Sequence, residues 1–462
     1  MSVNDLPTDD KFFDNNMEEN QSQESDNFDS DNNSDHSYTT EVQNIGSMDG
    51  DQASKGVPMN SNSQPANVDN SNPKMKTTAD LLKEAASNGK KYIAAGMINE
   101  AIHEFIRAMT LTRVIFGSMH WQLAASYVSL AETYLQGKGF TAQAEYHAER
   151  AKSLMLDSNI HIATNNADKL SMYNMLVNLH HILAVTKCSE KKYVESEKNL
   201  LKAESFLENL KKLPSSDSKL VQMWAIKLTL DFAQLYSKQK KQTEAEDTYK
   251  QVVELIEAAH GEGSPQLIAL YLDWGKFVQQ GGKRANFHQS IKLFQKAHSI
   301  ATANRNQNEL INTGLMLAQT YMLLAEDDAY VSAETYLREC LTISNAVHGE
   351  KHHKTLIVED ELVRVLLKTN RRQEALKILQ SGITRKCAVH GYYSEKVSNA
   401  HSLIASVHLA DGDIVTALKS HQQCFEIQKF VLGPKHKKTI NSKSTIDILK
   451  TNLSVPPKLF SP

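Results

Sequence analysis

Proline is almost missing from most of this chain. Between residues 77 and 450 only Pro214, Pro265 and Pro434 occur. A proline costs a helix interior roughly 3 kcal/mol, so its avoidance over so long a stretch is what a helical domain requires. Cysteine is as scarce. Cys188, Cys340, Cys387 and Cys424 are the four, and no two stand at Cys-x-x-Cys spacing. That points away from a zinc ribbon, a redox dithiol or a disulfide framework. Long apolar runs are missing too: the charge-free stretch 171–186 still holds Asn174, Asn178, His180 and His181, too polar to span a bilayer. The chain does not open on the basic-then-apolar pattern of a signal peptide. Catalytic signatures are equally absent. His103-Glu104 is followed by Arg107 where a zinc protease needs a second histidine. There is no Gly-x-x-x-x-Gly-Lys-Ser/Thr loop, only the short turn Gly137-Lys138-Gly139, and no Gly-x-Ser-x-Gly elbow. These absences predict a chain without enzymatic chemistry, metal or cofactor.

Charge is present but unevenly spread. The formal total is −3. Residues 1–76 hold 15 acidic and 4 basic side chains, which leaves 39 acidic and 47 basic for the rest. The first segment is rich in Asn, Ser, Asp and Gln, with Phe12, Phe13 and Phe28 almost alone as large apolar residues. Such a segment cannot bury enough surface to offset its ordering entropy, so it reads as a disordered acidic tail. Beyond it the basic excess is thin and interspersed with Asp and Glu, the pattern of a solvated helical surface rather than a nucleic-acid interface. Pro456 and Pro457 open a short flexible C-terminus, 451–462. The domain boundaries expected are therefore 1–76, 77–450 and 451–462.

The stretch that remains is periodic. Gly349-Glu-Lys-His-His-Lys-Thr355 returns as Gly433-Pro-Lys-His-Lys-Lys-Thr439, with Gly391-Tyr-Tyr-Ser-Glu-Lys-Val397 midway. The three glycines are spaced 42 residues apart in both steps, and a fixed period of that size means stacked repeats. Ala375, Leu379, Gly382 and Ala417, His421, Cys424 share the spacing i, i+4, i+7 of one helix face. Ile404-Ala405-x-x-His408 lies on the helix before. A small residue on each helix of a hairpin, with a large residue three on, is the tetratricopeptide pattern. Eight units open their second-helix motif at Ala101, Ala144, Ser196, Ala245, Ser290, Ala333, Ala375 and Ala417, the third and fifth being irregular. The third is flanked by polar insertions at 157–168 and 213–218, and the fifth carries a Gly281-Gly282-Lys283-Arg284 turn. The fold expected is an all-α solenoid of about eight helical hairpins closed by a capping helix, 437–452. Cys340 and Cys424, at the small-residue position, should be buried thiols in a reducing compartment. His348, His352 and His353 have metal-like spacing but lie on an inter-repeat joint where His120 and His436 recur, so a joint role is expected of them. The pair His180-His181 should place one ring in the core and one in the groove.

First helices line the concave side of such a stack, the usual partner surface. Six residues before the first-helix small residue stand Asn178, Asn312 and Asn399; three before it, His181 and Ser402; one after it, Gln234, Gln319, Arg364 and Ser406. Amides suit a peptide because each both donates and accepts. These residues are the candidate groove. A carboxylate clamp for a chaperone tail is not evident, since Ala86 and Lys90 occupy the relevant positions.

The Gly-x-x-His-x-x-Thr joint is similar to that of kinesin light chain repeats. Longer strings narrow the family. Leu111-Thr-Arg-Val-Ile-Phe-Gly-Ser-Met-His-Trp121, Leu130-Ala-Glu-Thr-Tyr-Leu135, Ala142-Gln-Ala-Glu-Tyr-His-Ala-Glu-Arg-Ala151 and Ala233-Gln-Leu-Tyr-Ser-Lys-Gln-Lys-Lys241 resemble tetratricopeptide repeat protein 23 and its 23-like paralogue. So does 391–439. The resemblance spans about residues 80–450. It implies a non-enzymatic adaptor of primary cilia, acting near the ciliary base where Hedgehog signalling is modulated, or on microtubule structures. The expected partners are protein or peptide segments, among them ciliary-base components, with no nucleic acid and no membrane insertion. The expected location is cytoplasmic, at the cilium or cytoskeleton. The alternatives are a kinesin-light-chain-like cargo adaptor, for which no pairing heptad is found, and a regulatory subunit of an enzyme complex.

Overall fold

The computed structural model describes residues 76–454, apart from 138, 158–159, 215, 282–285 and 325. The expected acidic tail up to residue 75 and the loose end from 455 lie outside the described residues, as do most of the 281–284 turn and the centre of the 137–139 turn. Seventeen helices make up the described residues' regular structure, with one isolated β-bridge between His120 and His161. They pair as α1 (Thr78–Ala94) with α2 (Ile98–Phe116), α3 (Trp121–Gln136) with α4 (Thr141–Met155), α5 (Asn166–Ser189) with α6 (Tyr193–Lys211), and α7 (Ser218–Lys238) with α8 (Gln242–His260). Then come α9 (Gln266–Gln279) with α10 (Phe287–Ala303), α11 (Gln307–Leu324) with α12 (Asp327–Val347), α13 (His353–Lys368) with α14 (Arg372–His390), and α15 (Glu395–Ala410) with α16 (Ile414–Val431). The seventeenth, α17 (Lys437–Ser454), packs on α16 and buries Ile446 and Leu449. The eight hairpins and their cap are the expected ones.

Within a hairpin the turn is set by backbone geometry. The second residue after the first helix takes positive φ at Gly96, Lys191, Lys240, Asn370 and Gly412. The next N–H reaches back to close the helix, from Lys192 to Lys187 O at 2.9 Å, Lys241 to Tyr236 O at 3.0 Å and Asp413 to His408 O at 2.8 Å. These bonds satisfy carbonyls that a helix end leaves orphaned. The same residues then accept the first bond of the second helix, from Ser196, Ala245 and Ala417 at 3.0, 3.0 and 3.1 Å. Each donor is the small residue of its unit, so the turn fixes where that residue faces the first helix.

Between hairpins the repeated motif is a cap. Gly117, Gly261, Gly349, Gly391 and Gly433 all have φ near +80 to +90°, with values of 84, 87, 85, 81 and 87°, a region open to glycine. Three residues on, a side chain caps the next helix. His120, His352 and His436 accept through Nδ1 from the backbone N–H of Gln122, Lys354 and Lys438 at 3.2, 3.3 and 3.3 Å, while Ser264 and Ser394 use Oγ. Six residues on, Leu123, Leu267, Thr355, Val397 and Thr439 are buried. Thr355 also donates to Gly349 O at 2.9 Å and lies 2.8 Å from Ser344 Oγ. The joint histidines are therefore helix caps.

The core runs along the helix crossings. All six alanines that open the second-helix motif have no exposed surface. Where serine replaces alanine, in the irregular third and fifth units, the hydroxyl donates to the first helix, from Ser196 to Ala184 O at 2.8 Å and from Ser290 to Gly275 O at 3.0 Å. On the first helices a Cβ at Gly89 would lie 2.7 Å from the Phe105 ring, and one at Gly275 would collide with Phe294. The polar insertion before α5 returns to the first joint, where Trp121 N–H donates to His161 O at 3.2 Å and His161 N–H to Met119 O at 2.9 Å. Both rings of the His180-His181 pair are buried, at 6 and 5% exposure. The expected groove-facing ring is instead covered, because Trp224 of α7 packs edge-on against His181 at 5.7 Å.

Buried thiols and imidazoles follow from this packing. Burial pushes the Cys340 thiol up to about 12 and Cys424 up to about 11. It pushes His421 down from 6.5 to about 4, and lowers His147, His180, His298 and His401.

Two outcomes are expected. Ala417→Leu overpacks the last hairpin and lowers stability by about 1–3 kcal/mol in urea unfolding, whereas Val415→Leu, two residues away and 53% exposed, leaves the midpoint unchanged. The folded state holds His421 neutral and the unfolded chain binds its proton more readily. Stability should therefore be full above pH 6.5 and fall as pH drops towards about 4, with His421 contributing about 3 kcal/mol. Thermal midpoints of His421→Leu against the parent from pH 7.5 to 5 should show a shallower decline for the variant.

Candidate functional site: the first-helix face

First helices touch one another along the stack, α3 with α5, α5 with α7, α9 with α11 and α11 with α13. The polar side chains expected to line a groove lie along these contacts. Asn178 Nδ2 donates to Glu132 Oε2 of the preceding unit at 2.8 Å. His181 Nε2 lies 3.0 Å from Asp231 Oδ2 of the following unit. Gln234 hydrogen-bonds Asp273 of the next unit. Gln319 Nε2 donates to Glu361 Oε1 of the next unit at 2.8 Å, and Arg364 reaches the same oxygen at 3.0 Å. The candidates therefore meet in pairs across repeats, not as a single constellation.

The remaining candidates divide. Ser402 helps to hold the Cys424 thiol down within its own hairpin, and Ser406 donates back to the carbonyls of Ser402 and Leu403 at 3.1 and 2.9 Å. Asn312 and Asn399 are half-buried and make no side-chain bond across repeats among the described residues.

Sequence reasoning missed the other half of each pair. Asp231, Asp273 and Glu361 all stand two residues before the first-helix small position, a register that the sequence displays once the repeats are aligned. A residue one after the small position in one unit thus reaches the residue two before it in the next. Asn174 belongs to the same system, accepting from Trp224 Nε1 at 2.7 Å, as does Gln279, which donates to Thr320 of the next unit. Burial raises Asp273 above the usual carboxylate range, with Lys276 and Gln234 opposing. In the seventh hairpin Glu359 is raised by burial and held by Arg385 at 2.8 Å, while Lys386, almost fully buried, pairs with Asp360. These are structural ion pairs joining α13 to α14.

Among the described residues no group of three or more His, Cys, Asp or Glu is arranged to hold a metal ion. His352 spends Nδ1 on its cap and His348 Nε2 lies 2.9 Å from Asn308 Oδ1. No described helix is long and apolar enough to cross a membrane.

Comparison with known proteins matches this arrangement. The tetratricopeptide repeat family profile matches residues 230–266, from the second half of α7 through α8 to the next joint. Tetratricopeptide repeat protein 23 of Bos taurus is 29% identical over 382 residues, covering 82% of this chain and 83% of that protein. The Homo sapiens protein of the same name is 29% identical over 384 residues, covering 82 and 84%. Tetratricopeptide repeat protein 23-like of Mus musculus is 26% identical over 382 residues, covering 81 and 82%. The chain is similar to these proteins over about four-fifths of its length. Among solved structures, a signal transduction ATPase with a tetratricopeptide repeat sensor from Pyrococcus horikoshii aligns at 15% identity and a TM-score of 0.47, over 81% of this chain and 50% of that one. In this chain the repeat stack is braced by its own first-helix polar residues.

Removing one brace should be felt. Gln319→Ala strips a hydrogen bond from a carboxylate that is 2% exposed and should cost about 1–3 kcal/mol in urea unfolding. Ser406→Ala, which loses only bonds to its own helix, should stay within about 0.5 kcal/mol of the parent.

Proposed function

We propose that this protein is a non-enzymatic scaffold that binds protein segments on its first-helix face, within a ciliary, Hedgehog-related or cytoskeletal assembly. The observation that carries the binding role is the continuous run of first helices from one repeat to the next. Their braces leave amides such as Asn312 and Asn399 free of cross-repeat bonds. Helical-repeat stacks characteristically use such faces for partners. Similarity to tetratricopeptide repeat protein 23 over about four-fifths of the chain supports an adaptor role, and the ciliary setting rests on that resemblance. A kinesin-light-chain-like cargo adaptor is the second reading, favoured by the Gly-x-x-His-x-x-Thr joint at Gly349 and Gly433.

Proximity labelling in ciliated cells tests the proposal. The intact chain is compared with Asn312→Arg, Asn399→Arg, a pair that fills the face with charge and breaks no brace. The expected result is labelling of ciliary-base proteins by the intact chain, reduced in the variant at unchanged helicity. Labelling that is equal in both would move the partner off the first-helix face. Labelling of motor chains instead would favour the second reading, and the absence of any ciliary protein would remove the ciliary setting.

A further inference from the structure

A second surface lies at the joints of the last two hairpins. Tyr392 and Tyr393, which follow the positive-φ Gly391, are 50 and 55% exposed. Phe430, at the end of α16, is 72% exposed. The three rings are already assembled: Tyr392 meets Tyr393 edge-on at 5.1 Å, and Tyr393 lies 4.4 Å from Phe430 between centroids. Val389 and Val431, 37 and 40% exposed, flank them. Single exposed apolar residues need no explanation, but a contiguous cluster of large ones marks an interaction site.

The chain that follows the cluster's last ring is basic. From Lys429 to Ile446 the chain has five lysines and no Asp or Glu. Lys429 adjoins Phe430 directly. Lys435 occupies the position in its joint that Tyr393 occupies in the one before, two residues past the glycine. Lys438 is tied to Glu395 at 2.9 Å, which brings the basic start of α17 beside the residue two after Tyr393. Of the carboxylates near the cluster, Lys438 already neutralises Glu395, while Glu426 lies one turn before Phe430 on α16.

We infer that this joint edge is a docking surface for an acidic protein segment that carries a large apolar anchor. The aromatic rings supply rigid apolar area at small entropic cost, and the lysines supply steering and a rim of opposite charge to such a segment. A single-stranded nucleic acid would also seek lysines, but it stacks its bases on open ring faces. Here the face of Tyr393 is occupied by Phe430, at an interplanar angle of 37°. The surface is separate from the first-helix face, so one protein could hold two partners at once.

The test uses the full chain and a fluorescein-labelled twelve-residue peptide of Asp and Glu around two central phenylalanines, read by fluorescence anisotropy. The expected result is saturable binding that weakens as salt is raised. Tyr393→Ala, Phe430→Ser should weaken it about tenfold or more, as should Lys435→Glu, Lys437→Glu. The groove pair Asn312→Arg, Asn399→Arg should leave it unchanged. Tyr393, Phe430, Lys435 and Lys437 are exposed, and circular dichroism confirms folding of each variant. The proposal is overturned if the peptide with both phenylalanines replaced by serine binds equally tightly, since charge alone would then suffice. It is also overturned if the aromatic variant binds like the parent, or if a uridine oligonucleotide of the same charge displaces the peptide at equal concentration.

Discussion

Everything in this domain depends on how closely two helices of a hairpin can approach. The contact admits an alanine, a glycine or a hydrogen-bonded serine, and in the seventh hairpin a buried valine, Val363, on the first helix. At Gly275 the missing methyl is the space into which the Phe294 ring fits, and at Ser290 the hydroxyl is tolerated because it reaches the Gly275 carbonyl. Close approach fixes the spacing of the pair, and the fixed pair offers an apolar side that only the next pair can cover. Fold and stacking are thus one constraint seen at two scales.

The turns make that constraint repeatable. A backbone bond across the hairpin turn delivers the small residue to the crossing, and a positive-φ glycine followed by a capping side chain starts the next hairpin in the same register. Histidine serves at three of these joints because Nδ1 can accept from the backbone while the ring packs on its neighbours, as His120 does against Phe116 at 5.0 Å. Serine does the same work at Ser264 and Ser394 with less bulk.

Much of this was legible in the sequence. The 42-residue period, the eight small residues and the three interior prolines fixed the number of hairpins and their limits, because each reflects a local steric rule. The joint histidines were legible as joints but not as caps, since capping depends on a ring orientation that spacing does not carry. The groove candidates were placed on the correct helices, yet their use was hidden. Gln234 and Gln319 look like free amides until Asp273 and Glu361 are brought against them from the next repeat, about forty residues on in sequence. His181 looked half-open because nothing near it in the chain announces Trp224. Contacts across repeats are where single-residue reasoning ends.

Those cross-repeat bonds also govern how such a chain can change in length. Gln319 and Glu361 are 42 residues apart, Gln279 and Thr320 are 41 apart, and each bond demands that its two ends stay on matching faces of neighbouring helices. One residue inserted inside a helix would rotate one end by about 100° and break the bond on either side. A whole repeat could be added or lost and every bond re-formed with a new neighbour. Length in this domain is therefore quantised, and variation of a residue or two is confined to the turns.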